Sequence, residues 1–301
     1  MKVANPIYDS VFKYLLADNH VAKVLISNIL DIQINTLHLE PTEINYKDEE
    51  RNFTIFRIDF KATITLENNE KQVVLIEIQK AKLNTDIVRF RKYLGTQYAD
   101  PNNSYPNQPE KAIPIYTIYF LGHNLDHSTQ SPIINVNREY IDNYSKEKLT
   151  EKEEFIECLT HNSVVVQIPL FKIYRRNKLE KLLSIFEAST NHEVEIEELE
   201  DEDYQLVSRR LLKANADNAI RKQMDVEDEI ISELTNKDRK IATLESRNEE
   251  ITKEKEEERK QKEVEKIQKE EAIKMMIKFG IPLETIANNL KISVEEINKI
   301  I

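Results

Sequence analysis

Between residues 53 and 80 the chain alternates apolar and polar side chains, and this period of two constrains the fold more than any other feature. Ile58, Phe60, Ala62, Ile64 and Leu66 alternate with Asp59, Lys61, Thr63 and Thr65, which describes a strand with one apolar face. "ENNE" (67–70) is turn chemistry, and "KQVVLIEIQK" (71–80) reads as the returning strand. That strand is apolar from Val73 through Ile76, then carries Glu77, Ile78, Gln79 and Lys80. A carboxylate at the end of an otherwise buried strand needs a reason.

The flanking segments read as a mixed sheet with helices packed on it. The spacing of Phe12, Leu15, Leu16, Val21, Val24, Leu25 and Ile29 predicts one or two amphipathic helices over 9–30. A helix is expected over 85–98, capped by Thr85, with Ile87, Phe90, Leu94 and Tyr98 on one face. "AIPIYTIYFLG" (112–122) predicts a strand covered on both faces, "SVVVQIPLF" (163–171) another strand, and "KLEKLLSIFE" (178–187) a helix. The order α, β, β, α, β, β, α fits an α/β class.

Beyond about residue 190 the character changes. "EVEIEELEDED" (193–203) holds eight acids in eleven residues, and mostly helical, charged sequence runs on to about 271. Ile241, Leu244 and Ile251 sit at heptad-compatible positions, but "TKEKEEERKQKE" (252–263) has no apolar residue, so any coiled coil is short. Residues 272–301 become compact again. Gly280 is placed as a helix C-cap and Ser293 with Glu296 as a capping box, in a small helix-turn-helix outline. The expected parts are an α/β domain at 1–190, a charged helical extension at 191–271, and this module at 272–301.

Several function classes fall away. Gly95, Gly122 and Gly280 are the only glycines, too few and too dispersed for a phosphate-cradling loop, so no nucleotide cofactor is expected. No G-x-S-x-G elbow is present. One cysteine, Cys158, permits no disulfide framework, and no apolar signal region or membrane-length run occurs, so the expectation is a cytoplasmic, soluble chain. A net charge of −11 argues against sequence-blind coating of nucleic acid, while leaving room for a local basic groove.

The hairpin supplies the reason for Glu77. With the apolar faces together, a three-residue loop at 67–69 sets Asp59 opposite Glu77, and the neighbouring register sets it opposite Gln79. Either way two carboxylates share one face, within roughly 5–8 Å at Cβ. Such a pair repels unless a cation lies between its members, and a hard divalent ion with one or two protein carboxylates is the usual remedy. That is the setting of metal-assisted phosphodiester hydrolysis. The same residues are also compatible with a polar face on which Lys61 compensates the acids.

Asp59, separated by seventeen residues from "EIQ" (77–79) and preceded by "DSVFK" (9–13), resembles the PD-(D/E)XK nuclease superfamily. More narrowly the chain looks like the Rpn-type recombination-promoting nucleases, a group also described as transposase-like. The resemblance extends through "RFRKY" (89–93), "AIPIYTIYFL" and "VVVQIPLFK", over roughly residues 5–190. It implies a restriction-endonuclease-like α/β fold and Mg²⁺-dependent cleavage of DNA, with Mn²⁺ as a substitute. It implies Asp59 and Glu77 as metal ligands, with the Ile78 carbonyl assisting, and Asp9 as a further acid; the residues alone read Asp9 equally as a helix N-cap. Gln79 stands where the superfamily's lysine usually sits. An amide would orient water or a phosphate oxygen but cannot carry the lysine's charge. Lys80 points to the other face by strand alternation.

For nucleic acid, Lys80, Lys82, Arg89, Arg91 and Lys92 set five positive charges against one acid, Asp86, near the end of the "EIQ" strand. Arg175, Arg176 and Lys178 form a second basic cluster. His123 and His127 read as loop residues, Cys158 as inert, and Tyr116 and Tyr119 as core or half-core. In the last helix, Glu295 and Glu296 suit a helical contact better than DNA reading, so the tail is expected to serve as a helical contact or as an oligomerisation module that joins copies into a homo-oligomer. The alternative to an enzyme is a non-catalytic DNA- or partner-binding protein that keeps the nuclease fold.

Overall fold

The computed structural model describes residues 1–48, 53–80, 86–105, 107–126 and 130–300. The chain opens with β1 (Lys2–Ala4), α1 (Asp9–Leu16) and α2 (Asn19–Leu30), followed by β2 (Ile34–Asp48), β3 (Phe53–Leu66) and β4 (Lys71–Gln79). Then come α3 (Asp86–Ala99), the short β5 (Ser104–Tyr105) and β6 (Gln108–Ala112), and β7 (Ile115–Leu121). After β8 (Ile133–Val136), β9 (Tyr140–Ile141), β10 (Lys148–Leu149) and α4 (Glu154–Leu159), β11 (Asn162–Gln167) returns to the sheet and runs into a 3₁₀ turn (Ile168–Lys172). The remainder is α5 (Lys178–Leu183), β12 (Glu193–Glu195), α6 (Glu202–Asn215), α7 (Asn218–Lys278), α8 (Leu283–Leu290) and α9 (Val294–Asn298).

Six strands form one mixed sheet in the order β2-β3-β4-β7-β11-β8. β2, β3 and β4 are antiparallel neighbours, β4, β7 and β11 run parallel, and β8 closes the edge antiparallel to β11. The α/β class with helices flanking a mixed sheet is therefore as expected. The long β2, the edge strand β8 and the small β1–β12 ladder are additions to that expectation.

The hairpin has the three-residue loop. Leu66 N–H donates to the Glu70 carbonyl at 2.8 Å, Asn69 N–H donates back to Leu66 at 3.0 Å, and Asn69 adopts φ 66°. Asn is among the few residues with a side chain that tolerate this left-handed position. The register runs from Thr65 against Lys71 to Phe60 against Ile76.

The two faces of the sheet bury different partners. Val74, Ile76 and Ile78 join Phe12 and Leu15 of α1, together with Leu182, Phe186, Val207 and Leu211, in the main core. Val73 and Leu75 pack with Phe90 and Tyr93 of α3 in a second, smaller core. On α3 the buried stripe is Phe90, Tyr93 and Gln97, whereas Ile87 and Tyr98 are exposed, so the helix is rotated from the expected face. Thr85, its expected cap, lies outside the described residues. The strand expected over 163–171 ends at Gln167 because the next turn contains Pro169, which cannot donate to a ladder.

The chain divides into two compact units, Met1–Thr235 and Asn236–Ile301. The first reaches well past residue 190: β12 pairs with β1, and α6 packs against β1 and α1. The second has its own core of Ile273, Ile286, Ala287 and Ile297. There Gly280 takes φ 77° and the Ser293–Glu296 capping box forms in both directions. Residues 252–263 are exposed throughout on α7. No helix among the described residues is long and apolar enough to cross a membrane.

Candidate functional site

The site lies at the C-terminal end of β4. Strand alternation puts Glu77 and Gln79 on the face of Val73 and Leu75, toward α3. Both are buried, Glu77 at 2% exposure and Gln79 at 7%. Glu77 is level with Tyr119 on the parallel neighbour β7. Burial, with the Glu77 charge adding to it, pushes the Tyr119 phenol up to about 12. Tyr116 and Tyr119 are half-buried, as expected of a strand covered on both faces.

The observed β3–β4 pairing ends at Phe60 opposite Ile76, one position short of Asp59 and Glu77. Asp59 sits on β3, opposite Thr42 of β2; its side chain lies outside the described residues. Lys61 is the residue that the polar-face reading sets against the acids of that face. It is buried and pairs with Asp100 at 3.6 Å.

The end of β4 is tightly constrained. Gly122 N–H donates to the Gln79 carbonyl at 2.7 Å. A Cβ at Gly122 would come within 2.4 Å of the Lys80 carbonyl oxygen and 2.9 Å of Ile7 Cδ1. Only glycine lets the strand end and the segment after β7 approach this closely.

Asp9 is the first residue of α1 and not its N-cap; that position is Tyr8, whose side chain makes no capping bond. Capping comes from far along the chain. Glu227 of α7 accepts from Asp9 N–H at 2.8 Å and from Ser10 N–H at 2.9 Å. The Asp9 carboxyl is pushed up to about 7, first by burial and then by the charges of Glu227 and Glu77; Lys13, 3.5 Å away, opposes this. Asp9 and Glu77 are therefore electrostatically linked.

Lys80 turns to the opposite side from Gln79, as alternation requires. Its ammonium stands 3.3 Å above the centroid of the Tyr8 ring and is ion-paired with the Asp228 carboxylate. Burial pushes the Lys80 ammonium down while Asp228 works the other way. At Asp228, burial pushes the carboxyl up, but hydrogen bonds from Lys80, His192 and Tyr8 outweigh it and hold the group ionised. Tyr8 Oη donates to Asp228 Oδ2 at 2.9 Å, and His192 Nε2 lies 2.9 Å from the same oxygen. The Tyr8 phenol is held far above its ordinary range by burial and by this carboxylate. Asn5, fully buried, donates to the carbonyls of Glu187 and Asn191 and so fixes the loop that delivers His192.

The chain finds no match among protein-family models, curated proteins or solved structures.

The expected basic groove is only partly described. Arg91 and Lys92 are exposed on α3, while Lys82 and the Arg89 side chain lie outside the described residues. The second basic cluster is neutralised: Arg175 pairs with Glu197, Arg176 with Glu180, and Lys178 with Asp201 and Asp203. His127 lies outside the described residues, and His123 follows β7 in a bend. Cys158 is a free thiol whose pKa burial pushes up, which disfavours the reactive thiolate.

Tyr8, His192, Glu227 and Asp228 are the members that sequence reasoning missed. The only trace of the last two is the acidic run "DVEDE" (225–229), which looks like any solvated helix flank.

Proposed function

We propose that the chain is a metal-dependent DNA endonuclease with a restriction-endonuclease-like core, linked to recombination or a mobile element. The observation that carries this reading is Glu77, a buried carboxylate at the end of a central strand whose charge helps raise Asp9; the β3–β4 pairing reaches Phe60 and Ile76, the neighbours of Asp59 and Glu77. Among the described residues no group of three or more His, Cys, Asp or Glu side chains is arranged to hold a metal. The donors assigned here, Asp59 and Glu77, are hard carboxylates, which suit Mg²⁺ or Mn²⁺ when one or two of them share the ion with water and phosphate oxygens. Asp59 and Glu77 would hold the ion, which when bound activates water and neutralises charge developing on phosphorus. Asp9, whose carboxyl is pushed up to about 7 by burial, is suited to exchange a proton with that water or with the leaving oxygen. The Gln79 amide orients a phosphate oxygen by hydrogen bonding. Arg91 and Lys92 flank the route of a nucleic-acid backbone, continued by Lys82 and Arg89 in sequence.

Plasmid nicking tests this reading, with Mg²⁺, with Mn²⁺ and with EDTA, beside Asp59→Ala and Glu77→Ala. The expected result is metal-dependent cleavage lost in both folded variants, by roughly 10³-fold or more. Cleavage that survives in both, or none by the wild type on any DNA form, overturns it.

A second reading, DNA or partner binding without catalysis, draws on one observation. The amine closest in sequence to Gln79, that of Lys80, is already committed to Asp228. Oligonucleotide binding without cleavage would favour it.

A further inference from the structure

Two adjacent carboxylates of α7 reach back to the beginning of the fold and take positions that suit a phosphate. Asp228 is held by three groups: the Lys80 ammonium, the Tyr8 hydroxyl and His192 Nε2. Glu227 takes the two free backbone N–H groups at the start of α1. A buried ammonium, a phenol donor, an imidazole and two backbone N–H groups are the donors that recognise a phosphate oxyanion. Beside them the Ser10 hydroxyl, 9% exposed, has no hydrogen-bond partner among the described residues. The cluster adjoins Gln79 in the chain, and Asp9 belongs to both arrangements.

Ordinary stability does not call for this arrangement. Lys80 is only 10% exposed at its side chain, and its desolvation is met by a carboxylate more than 140 residues away in sequence. A carboxylate on the next strand or helix would serve as well. What α7 contributes is a negative pair at a fixed spacing over a cationic centre, the same charge a phosphodiester backbone would bring.

We propose that Glu227 and Asp228 are an internal phosphate mimic: they occupy an oxyanion site built by Lys80, Tyr8, His192 and the start of α1, and hold it closed until a phosphate-bearing ligand displaces them. The assignment of that ligand as a nucleic-acid backbone rests on the nuclease reading, whereas the oxyanion site itself does not.

The test is binding in EDTA, so that cleavage plays no part. A fluorescein-labelled double-stranded oligonucleotide is titrated by anisotropy with the full chain, with Asp228→Asn and with Glu227→Gln, in about 0.15 M salt. Inorganic phosphate serves as competitor and as a separate ligand. Asp228→Asn is expected to bind the oligonucleotide about tenfold more tightly than the wild type, since a like charge leaves the site. Adding Lys80→Gln to it should abolish the gain. A variant that gains affinity for inorganic phosphate but not for the oligonucleotide keeps the oxyanion site and sinks the nuclease reading. Equal or weaker binding of both ligands by the variants, or no binding by any form, overturns the proposal.

Asp228→Asn leaves Lys80 short of a counter-charge and so can lose stability. Glu227→Gln keeps that ion pair and should show a smaller gain of the same sign. Hydrogen exchange on the wild type supplies an independent reading: residues 218–235 should exchange faster when the oligonucleotide or phosphate is added. Unchanged or slower exchange there counts against displacement.

Discussion

Asp9 shows how one side chain couples site and stability. Its pKa is raised from 3.8 to about 7 in the folded chain, so the folded state holds its proton more tightly than the unfolded one. The sign follows by linkage: the stabilisation is complete below pH 4 and is lost as the pH rises through 7. Asp9→Asn removes this dependence. Denaturant unfolding at pH 5 and at pH 8 should show the wild type losing ground to the variant by the order of 2–4 kcal/mol. Equal pH slopes would mean that the Asp9 environment is wrong. Gly122 makes a second prediction at this scale. Gly122→Ala drives a methyl against the Lys80 carbonyl and Ile7, so it should destabilise the fold by roughly 2 kcal/mol or more, read by denaturant unfolding. The obstructing atom is backbone and cannot swing aside. Of the residues singled out from sequence, Glu77 and Gln79 were legible because a period-two pattern fixes the face of a strand. Lys80 was legible only as a direction, because its partner is 148 residues away.

Among the elements, the β3–β4 hairpin carries the most. Its three-residue loop sets the register, and a slip of one residue would turn every side chain of β4 to the opposite face. Asn69 sits at φ 66°, so Asn69→Val should cost about 1–2 kcal/mol and Asn69→Gly close to nothing. Thermal melting compares the two directly, and a Val variant as stable as the wild type would contradict the loop geometry. α3 was legible as a helix and illegible in its rotation. Ile87, Phe90, Leu94 and Tyr98 form a good stripe by spacing, but Phe90 meets Tyr119 at 4.5 Å between ring centroids, and that contact brings Tyr93 and Gln97 inward instead. A helix with apolar residues on two overlapping faces is decided by the sheet beneath it. β2 was missed because its 15 residues, "INTLHLEPTEINYKD", mix acids, a lysine and a proline. An edge strand tolerates that composition because one side of its ladder faces no neighbour.

At the scale of the molecule, three separate clusters of buried apolar residues among the described residues divide the work. The C-terminal module stands on a small core with Ile286 and Ile297 both fully buried, and its last helix depends on the Ser293–Glu296 box. Ile297→Ala should cost about 2–4 kcal/mol in that module and leave amide protection in β4 and β7 unchanged. Loss of protection in both places would show that the two compact units unfold as one. The boundary between those units is also where sequence reasoning reached least far. The acid-rich character that begins near 193 suggests a solvated extension, yet residues up to 235 belong to the first unit. They do so because Val194, Tyr204, Val207, Leu211, Ile220 and Met224 are spaced through the charges and complete the main core.

By itself the sequence determined the alternation of the central hairpin, the face that bears Glu77 and Gln79, the α/β class and the caps of the last helices. These are local properties, set by backbone periodicity, turn chemistry and side chains within a few residues of one another. Only the tertiary structure decided that Glu227 caps α1, that Asp228 meets Lys80 over the Tyr8 ring, and that Asp9 rises toward neutrality. Each of those depends on groups brought together from segments between 148 and 220 residues apart. Their energies come from burial and distance, and neither quantity exists until the chain has folded.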